Sequence, residues 1–313
     1  MSLEVKDLTK SYGGRVVVDH LSFTMDRPGV YALLGTNGAG KTTSIRMMLS
    51  MLSRDGGTVL WNGAPLDTRR CSVGYLAEER GLYPKYPLMD QLLYFAALRG
   101  VERQEGRKRI RDWAERLELE EYLYPASNGR RRAKPRTADQ LSKGNQQKIQ
   151  LITALIANPE LLILDEPLSG LDPVNTDLFK GIIREEIRQG KYLIMSSHQM
   201  ATVEEFCTDL TILHRSKPVL QGNLNAIKKE RGRVNLYLKT EGDALPYIQA
   251  RGITVRSRKE QEYELRITGE QQANGLLSDL MAAGITVVTF DLREPSLHEI
   301  FVETVGGVSD GEV

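Results

Sequence analysis

The chain has 313 residues, 41% of them hydrophobic and 27% charged, with a formal net charge of +1. That length leaves room for about two domains. The balanced charge argues against a nucleic-acid partner held by a global basic field, and the composition is that of an ordinary globular chain. The opening residues, MSLEVKDLTKSY, lack the apolar core of a secretory signal. No run reaches the ~18 consecutive apolar residues of a spanning helix, so the expectation is a chain that does not cross a membrane by itself. Cys71 and Cys207 lie far apart without metal-ligand spacing. They read as buried or idle thiols of a reducing compartment.

In chain order, the first informative stretch is VYALL followed by GTNGAGKTT, residues 35 to 43, and then a helical pattern. This is a strand, a glycine-rich loop and a helix, matching G-x-x-x-x-G-K-[ST]. Gly35, Gly38 and Gly40 let the backbone approach phosphate oxygens without side-chain clashes. The N–H groups of the loop, through Asn37, Ala39 and Thr43, face the anion together with the positive helix end. Lys41 is placed to reach the β- and γ-phosphates and Thr42 to hold Mg²⁺. The loop alone does not say how the phosphate energy is used.

GYLAEERGLYP follows, and then residues 88 to 119 show helical periodicity without a good strand, which predicts a helical insertion within about 85–157. SNGRRRAKPR reads as a loop by its Gly, Pro and charge content. Its basic residues are Arg130, Arg131, Arg132, Lys134 and Arg136. They read either as a solvated loop or as a docking element for an anionic leaflet or an acidic partner surface.

LSKGNQQKIQLITAL, residues 141 to 155, opens a helix with Ile149, Ile152, Leu155 and Ile156 on one face. Ser142 reads as its N-cap, and the free N–H groups there make a second anion site. LLILDEP is an apolar strand ending in two carboxylates, at the edge where open α/β sheets bind ligands. Asp165 is the candidate Mg²⁺ ligand and Glu166 the candidate activator of an attacking water. Apolar strands alternating with helices predict an α/β domain with a mostly parallel sheet. From residue 229 the pattern becomes strand, helix, strand, strand, helix, strand, a small α+β ferredoxin-like unit. An amphipathic helix, SLHEIFVETV, follows it. The expected domains are 1–228 and 229–313.

With these motifs in this order, the chain resembles the ATP-binding subunits of ABC transporters over roughly residues 1 to 225. Their signature reads LSGGQ; here Lys143 replaces the first glycine and Asn145 the final glutamine, while Ser142 and Gly144 are kept. The resemblance implies a mixed-sheet cassette with a helical subdomain, an ATPase using ATP and Mg²⁺. It implies that Tyr12 stacks on adenine, that Asp172 in SGLD belongs to a loop near the nucleotide, and that His198 contacts the γ-phosphate. Asp172, before Pro173, also reads as a helix cap. Ser142 and Gly144 would touch the γ-phosphate of an ATP bound by another subunit, in a head-to-tail pair sandwiching two ATPs. Glu78 stands where the family usually has a glutamine that contacts Mg²⁺ and the attacking water. GYLAEERGLYP is similar to a branch of ABC-2-type exporters. REPSLHEIFVETVG, with residues 231 to 305, resembles the extra domain of daunorubicin-resistance-type exporter ATPases. That domain reads as a dimerisation or rigidifying module as readily as an effector site.

The implied protein powers an exporter from the cytoplasmic face of the cell membrane. Its implied partners are separately encoded permease subunits and a second copy or a related ATPase subunit, with no nucleic acid. An importer ATPase, or a soluble ABC ATPase acting on ribosomes or DNA, is the alternative. The cargo is not legible in this chain.

Overall fold

The computed structural model describes residues 1–68, 72–79, 81–125 and 134–309, and side chains through residue 306. Cys71 and the segment 129–133 of the basic loop, with Arg130, Arg131 and Arg132, lie outside the described residues. Two compact units divide the chain, Met1–Gln221 and Gly222–Val313. The border expected at 228 lies within the helix Leu224–Arg231, which falls whole in the second unit. Leu224 and Ile227 of that helix are buried.

In the first unit, a six-stranded sheet runs Lys217–Asn223, Asp209–His214, Gly29–Leu34, Tyr192–Ser197, Leu161–Asp165 and Val73–Leu76. Pairing among the last five of these strands is parallel throughout. GVYALL, LLILD and YLIMSS are buried at every residue, which explains why they read as continuous apolar runs rather than alternating ones. Parallel register brings their C-terminal ends to one edge. Leu34 lies beside Ser197, and Asp165 beside Ser196.

A four-stranded antiparallel sheet, Arg15–Met25, Leu3–Tyr12, Gly56–Trp61 and Ala64–Pro65, packs over it. Here the pattern has period two: Leu3 and Val5 are buried while Glu4 and Lys6 are not. One core joins Leu3, Phe23, Tyr31, Leu33, Ile45 and Ile163. The rings of Phe23 and Tyr31 stack at 4.1 Å between sheets. The helices Leu88–Leu98, Arg103–Arg116, Glu120–Leu123 and Lys143–Leu155 occupy the segment read as helical insertion.

The second unit is an antiparallel sheet in the order Thr254–Lys259, Glu262–Arg266, Asn235–Thr240 and Val287–Arg293. The helices Leu245–Ala250 and Glu270–Ala282 share its core through Ile248, Ala273, Leu276 and Leu280 against Leu236, Leu238, Tyr263 and Leu265. This is the ferredoxin-like arrangement, with the helix Leu297–Ser309 after it.

Candidate functional site

The loop between the strand Gly29–Leu34 and the helix Lys41–Met48 forms one wall of the site. It folds back on itself, with the Ala39 N–H donating to the Thr36 carbonyl at 3.2 Å. Two of its glycines answer to space as well as to backbone. A Cβ on Gly35 (φ 152°) would lie 2.4 Å from the Leu213 carbonyl oxygen, and one on Gly40 (φ 104°) 2.4 Å from that of Val17. Gly40 also opens the helix without any side-chain cap. The first-turn N–H groups, including those of Lys41, Thr42 and Thr43, therefore have no intrahelical partner and suit an anion. Asn37 and Gly38 are exposed on the loop; Ala39 is buried.

Lys41 is almost fully buried, and its Nζ donates to the carbonyls of Gly35 at 2.9 Å and Thr36 at 3.3 Å. The same ammonium lies 3.3 Å from Glu166 Oε1. That distance brings opposite charges together, but Glu166 Oε1 has no hydrogen-bond partner. Glu166 Oε2 stands 2.9 Å from His198 Nδ1. The backbone of Glu166 is left-handed at φ 50°, held by its N–H donating to Ser196 Oγ at 3.0 Å. Such a conformation costs a non-glycine residue on the order of 1–3 kcal/mol and persists because its surroundings impose it.

Asp165 ends its strand fully buried. Its Oδ1 accepts from Ser196 Oγ and lies 3.3 Å from Thr42 Oγ1; its Oδ2 has no partner. Burial pushes this carboxyl above its ordinary range, hydrogen bonds from Ser196 and Thr42 oppose the shift, and the charges of Glu78 and Glu166 add to it. Glu78 Oε2 is 3.4 Å from the same Thr42 hydroxyl. Tyr75, beside these acids, is pushed up to about 12, chiefly by burial and then by Asp165.

Lys41, Thr42, Glu78, Asp165, Glu166 and His198 thus converge. Ser196 was missed from sequence, although it precedes His198 by two residues at the end of a strand next to the one carrying Asp165. The donor set suits a hard cation: two carboxylates and a hydroxyl, with a buried carboxylate oxygen left over. Among the described residues no cluster of three His, Cys, Asp or Glu could hold a metal by itself.

The remaining candidates are held by contacts of their own. Ser142 caps the helix Lys143–Leu155 by accepting from the Asn145 N–H at 3.2 Å. Asp172 caps Pro173–Arg188 by accepting from the Asn175 N–H at 3.0 Å. Gly144 faces the same Asn175, whose Nδ2 would lie 3.3 Å from an added Cβ. Among the described residues, no hydrogen bond or ion pair joins Ser142, Gly144 or Asp172 to residues 35–43. Tyr12 is about half exposed, so it is not a core tyrosine, and the Lys10 ammonium sits 5.2 Å from its ring centroid.

Comparisons with known proteins complete the picture. The "ABC transporter" family matches residues 18–169, and "ATP-binding protein DrrA1-3-like, C-terminal domain" matches residues 222–305. The chain is 41% identical over 308 residues to YhaQ of Bacillus subtilis, an uncharacterized ABC transporter ATP-binding protein; this covers 98% of this chain and 99% of that one. It is 31% identical over 230 residues to the Nod factor export ATP-binding protein I of Paraburkholderia xenovorans, covering 72% of each. A solved structure described as the ATP binding subunit of an ABC transporter superposes with a TM-score of 0.65 at 29% identity, covering 74% of this chain and 93% of that one.

Proposed function

The chain belongs to the ABC transporter ATP-binding proteins, and from that premise we propose that it hydrolyses ATP to power an exporter. The observation that carries the reading is the convergence of Lys41, Thr42, Asp165, Glu166 and His198 on one edge of the parallel sheet. Lys41 leaves its loop carbonyls for the β- and γ-phosphates. Glu166 presents Oε1, the oxygen without a hydrogen bond, to the attacking water and takes its proton there. His198 holds the other oxygen and fixes the carboxylate's orientation. Thr42, Asp165 and Glu78 are the residues that would hold Mg²⁺, whose chemistry when bound is to neutralise charge on the phosphate oxygens. Tyr12 offers its exposed ring to adenine.

Ser142, Gly144 and Asp172, which among the described residues make no hydrogen bond or ion pair to the phosphate loop, are read as acting in a head-to-tail pair in which one chain's signature closes over the other's nucleotide. Binding of ATP between the two would favour the closed pair and hydrolysis would reopen it. No described helix is long and apolar enough to cross a membrane, so the cargo path belongs to integral partners on whose cytoplasmic face the chain docks. Export is the favoured direction because of the second unit and the Nod factor relative.

Purification from membranes tests this directly. An integral partner should co-purify, and the complex should hydrolyse ATP only with Mg²⁺ present. Absence of both an integral partner and Mg²⁺-dependent turnover would sink the proposal.

A further inference from the structure

We infer that this site takes up a divalent cation before any nucleotide arrives, and that Glu78 is the residue that makes it do so. The inference rests on the proposed nucleotide site and adds an order of binding to it. Thr42 Oγ1 carries a single hydrogen, yet it lies 3.3 Å from Asp165 Oδ1 and 3.4 Å from Glu78 Oε2. It can donate to only one of them. Both distances are long for an O–H···O bond, as expected where two carboxylates repel each other across one hydroxyl.

Among the described residues, neither of these two acids makes an ion pair. Lys41 at 3.3 Å and His198 at 2.9 Å both face Glu166 instead. Asp165 Oδ1 accepts from Ser196, but Oδ2 is buried with no partner at all. A fully buried carboxylate with an idle oxygen costs free energy unless a charge or donor meets it. Glu78, in contrast, is exposed and has an open route to solvent. A divalent cation entering from that side would meet Glu78, Asp165 and the Thr42 oxygen, with the hydroxyl keeping its hydrogen and turning it away from the two carboxylates. A glutamine at 78 would bring an oxygen but no charge. Ligand charge count sets affinity at such oxygen sites, so the carboxylate separates a site loaded in advance from one that waits for the phosphates.

The test uses the whole chain, free of nucleotide, with Mn²⁺ as the spectroscopic probe. Free Mn²⁺ is titrated by electron paramagnetic resonance against wild type, Glu78→Gln and Asp165→Asn, with Mg²⁺ as competitor. Wild type should show one site above the weak background of surface carboxylates, displaced by Mg²⁺. Glu78→Gln should weaken that site about tenfold or more, and Asp165→Asn should remove it. Glu78 is exposed, so its isosteric variant should fold, and its circular dichroism and melting curve check this. Equal Mn²⁺ affinity in wild type and Glu78→Gln overturns the inference, as does the absence of any site removed by Asp165→Asn. ATP binding by the wild type with Mg²⁺ is measured in parallel. If that binding is present while the nucleotide-free cation site is missing, only the order of binding fails. If it is absent, the chain lacks the proposed nucleotide site.

Discussion

His198 Nδ1 lies 2.9 Å from Glu166 Oε2, while the other oxygen of the same carboxylate faces Lys41 with no hydrogen bond. One side of Glu166 is held and the other is kept available. Glu166→Gln preserves the shape and the contact to the imidazole but cannot take a proton. The variant should bind ATP within about threefold of wild type and lose roughly 10²–10⁴ of turnover, the range for a general base. Held before hydrolysis, it should also form an ATP-dependent dimer on size exclusion. Wild-type-like hydrolysis by this variant would refute the role of Glu166.

The close approach at Gly40 gives a second expectation. An alanine there would face the Val17 carbonyl at 2.4 Å and keep an unfavourable φ of 104°. Gly38 has φ 81° but open space where its Cβ would go. Gly38→Ala should therefore cost about 1–2 kcal/mol, the penalty of the left-handed backbone alone. Gly40→Ala should cost more than that and should abolish ATP binding, because the loop must shift. Urea denaturation of both variants decides it; equal destabilisation would mean that the contact at Val17 does not constrain the loop.

The phosphate loop was legible in the sequence because its geometry is local: strand, glycines, lysine and helix are consecutive. The pairing of Asp165 and Glu166 with Thr42 and His198 was not local. It depends on the strands Gly29–Leu34, Tyr192–Ser197 and Leu161–Asp165 lying side by side, which single-strand periodicity does not specify. The family resemblance supplied that grouping, but not Ser196, whose hydroxyl links Asp165 to the backbone of Glu166. The antiparallel sheet led by Leu3–Tyr12 also escaped notice, because bulges after Val5 and Leu8 interrupt its alternation. In the second unit each strand and helix is short and separated by Gly or charged turns, so its order could be read directly.

Where the chain is cut should matter over a few residues. A chain ending at Gln221 stops at the border of the two units, while one ending at Lys228 keeps most of a helix that belongs to the second. The longer piece would keep Leu224 and Ile227, both buried in the whole chain, without the rest of their unit. The 1–221 chain should bind ATP, since the candidate nucleotide residues precede its end, and should stay monomeric without it. The 1–228 chain should be the more aggregation-prone of the two by light scattering. Loss of nucleotide binding in a folded 1–221 chain would show that the second unit completes the site.

Tyr12 gives the clearest separation of binding from stability. Its strand ends beside the turn at Gly13 and Gly14, and about half of the side chain is exposed. Its ring contact with Lys10 is a partly solvated cation–π pair at 5.2 Å, worth on the order of 0.5–1 kcal/mol. Lys10 is held independently by Asp55, at 2.8 Å, so removing the ring leaves that lysine paired. Tyr12→Ala should therefore move the melting temperature little. Stacking between an aromatic side chain and a base contributes about 1–3 kcal/mol, so the same variant should weaken ATP binding by about tenfold or more. Tyr12→Trp should restore it, because stacking needs a flat ring and not the hydroxyl. A triphosphate without a base separates the two halves of the site: its affinity should be the same in wild type and Tyr12→Ala. If Tyr12→Ala binds ATP as wild type does, the adenine lies elsewhere. If it weakens ATP and base-free triphosphate equally, the ring acts on the loop rather than on the base.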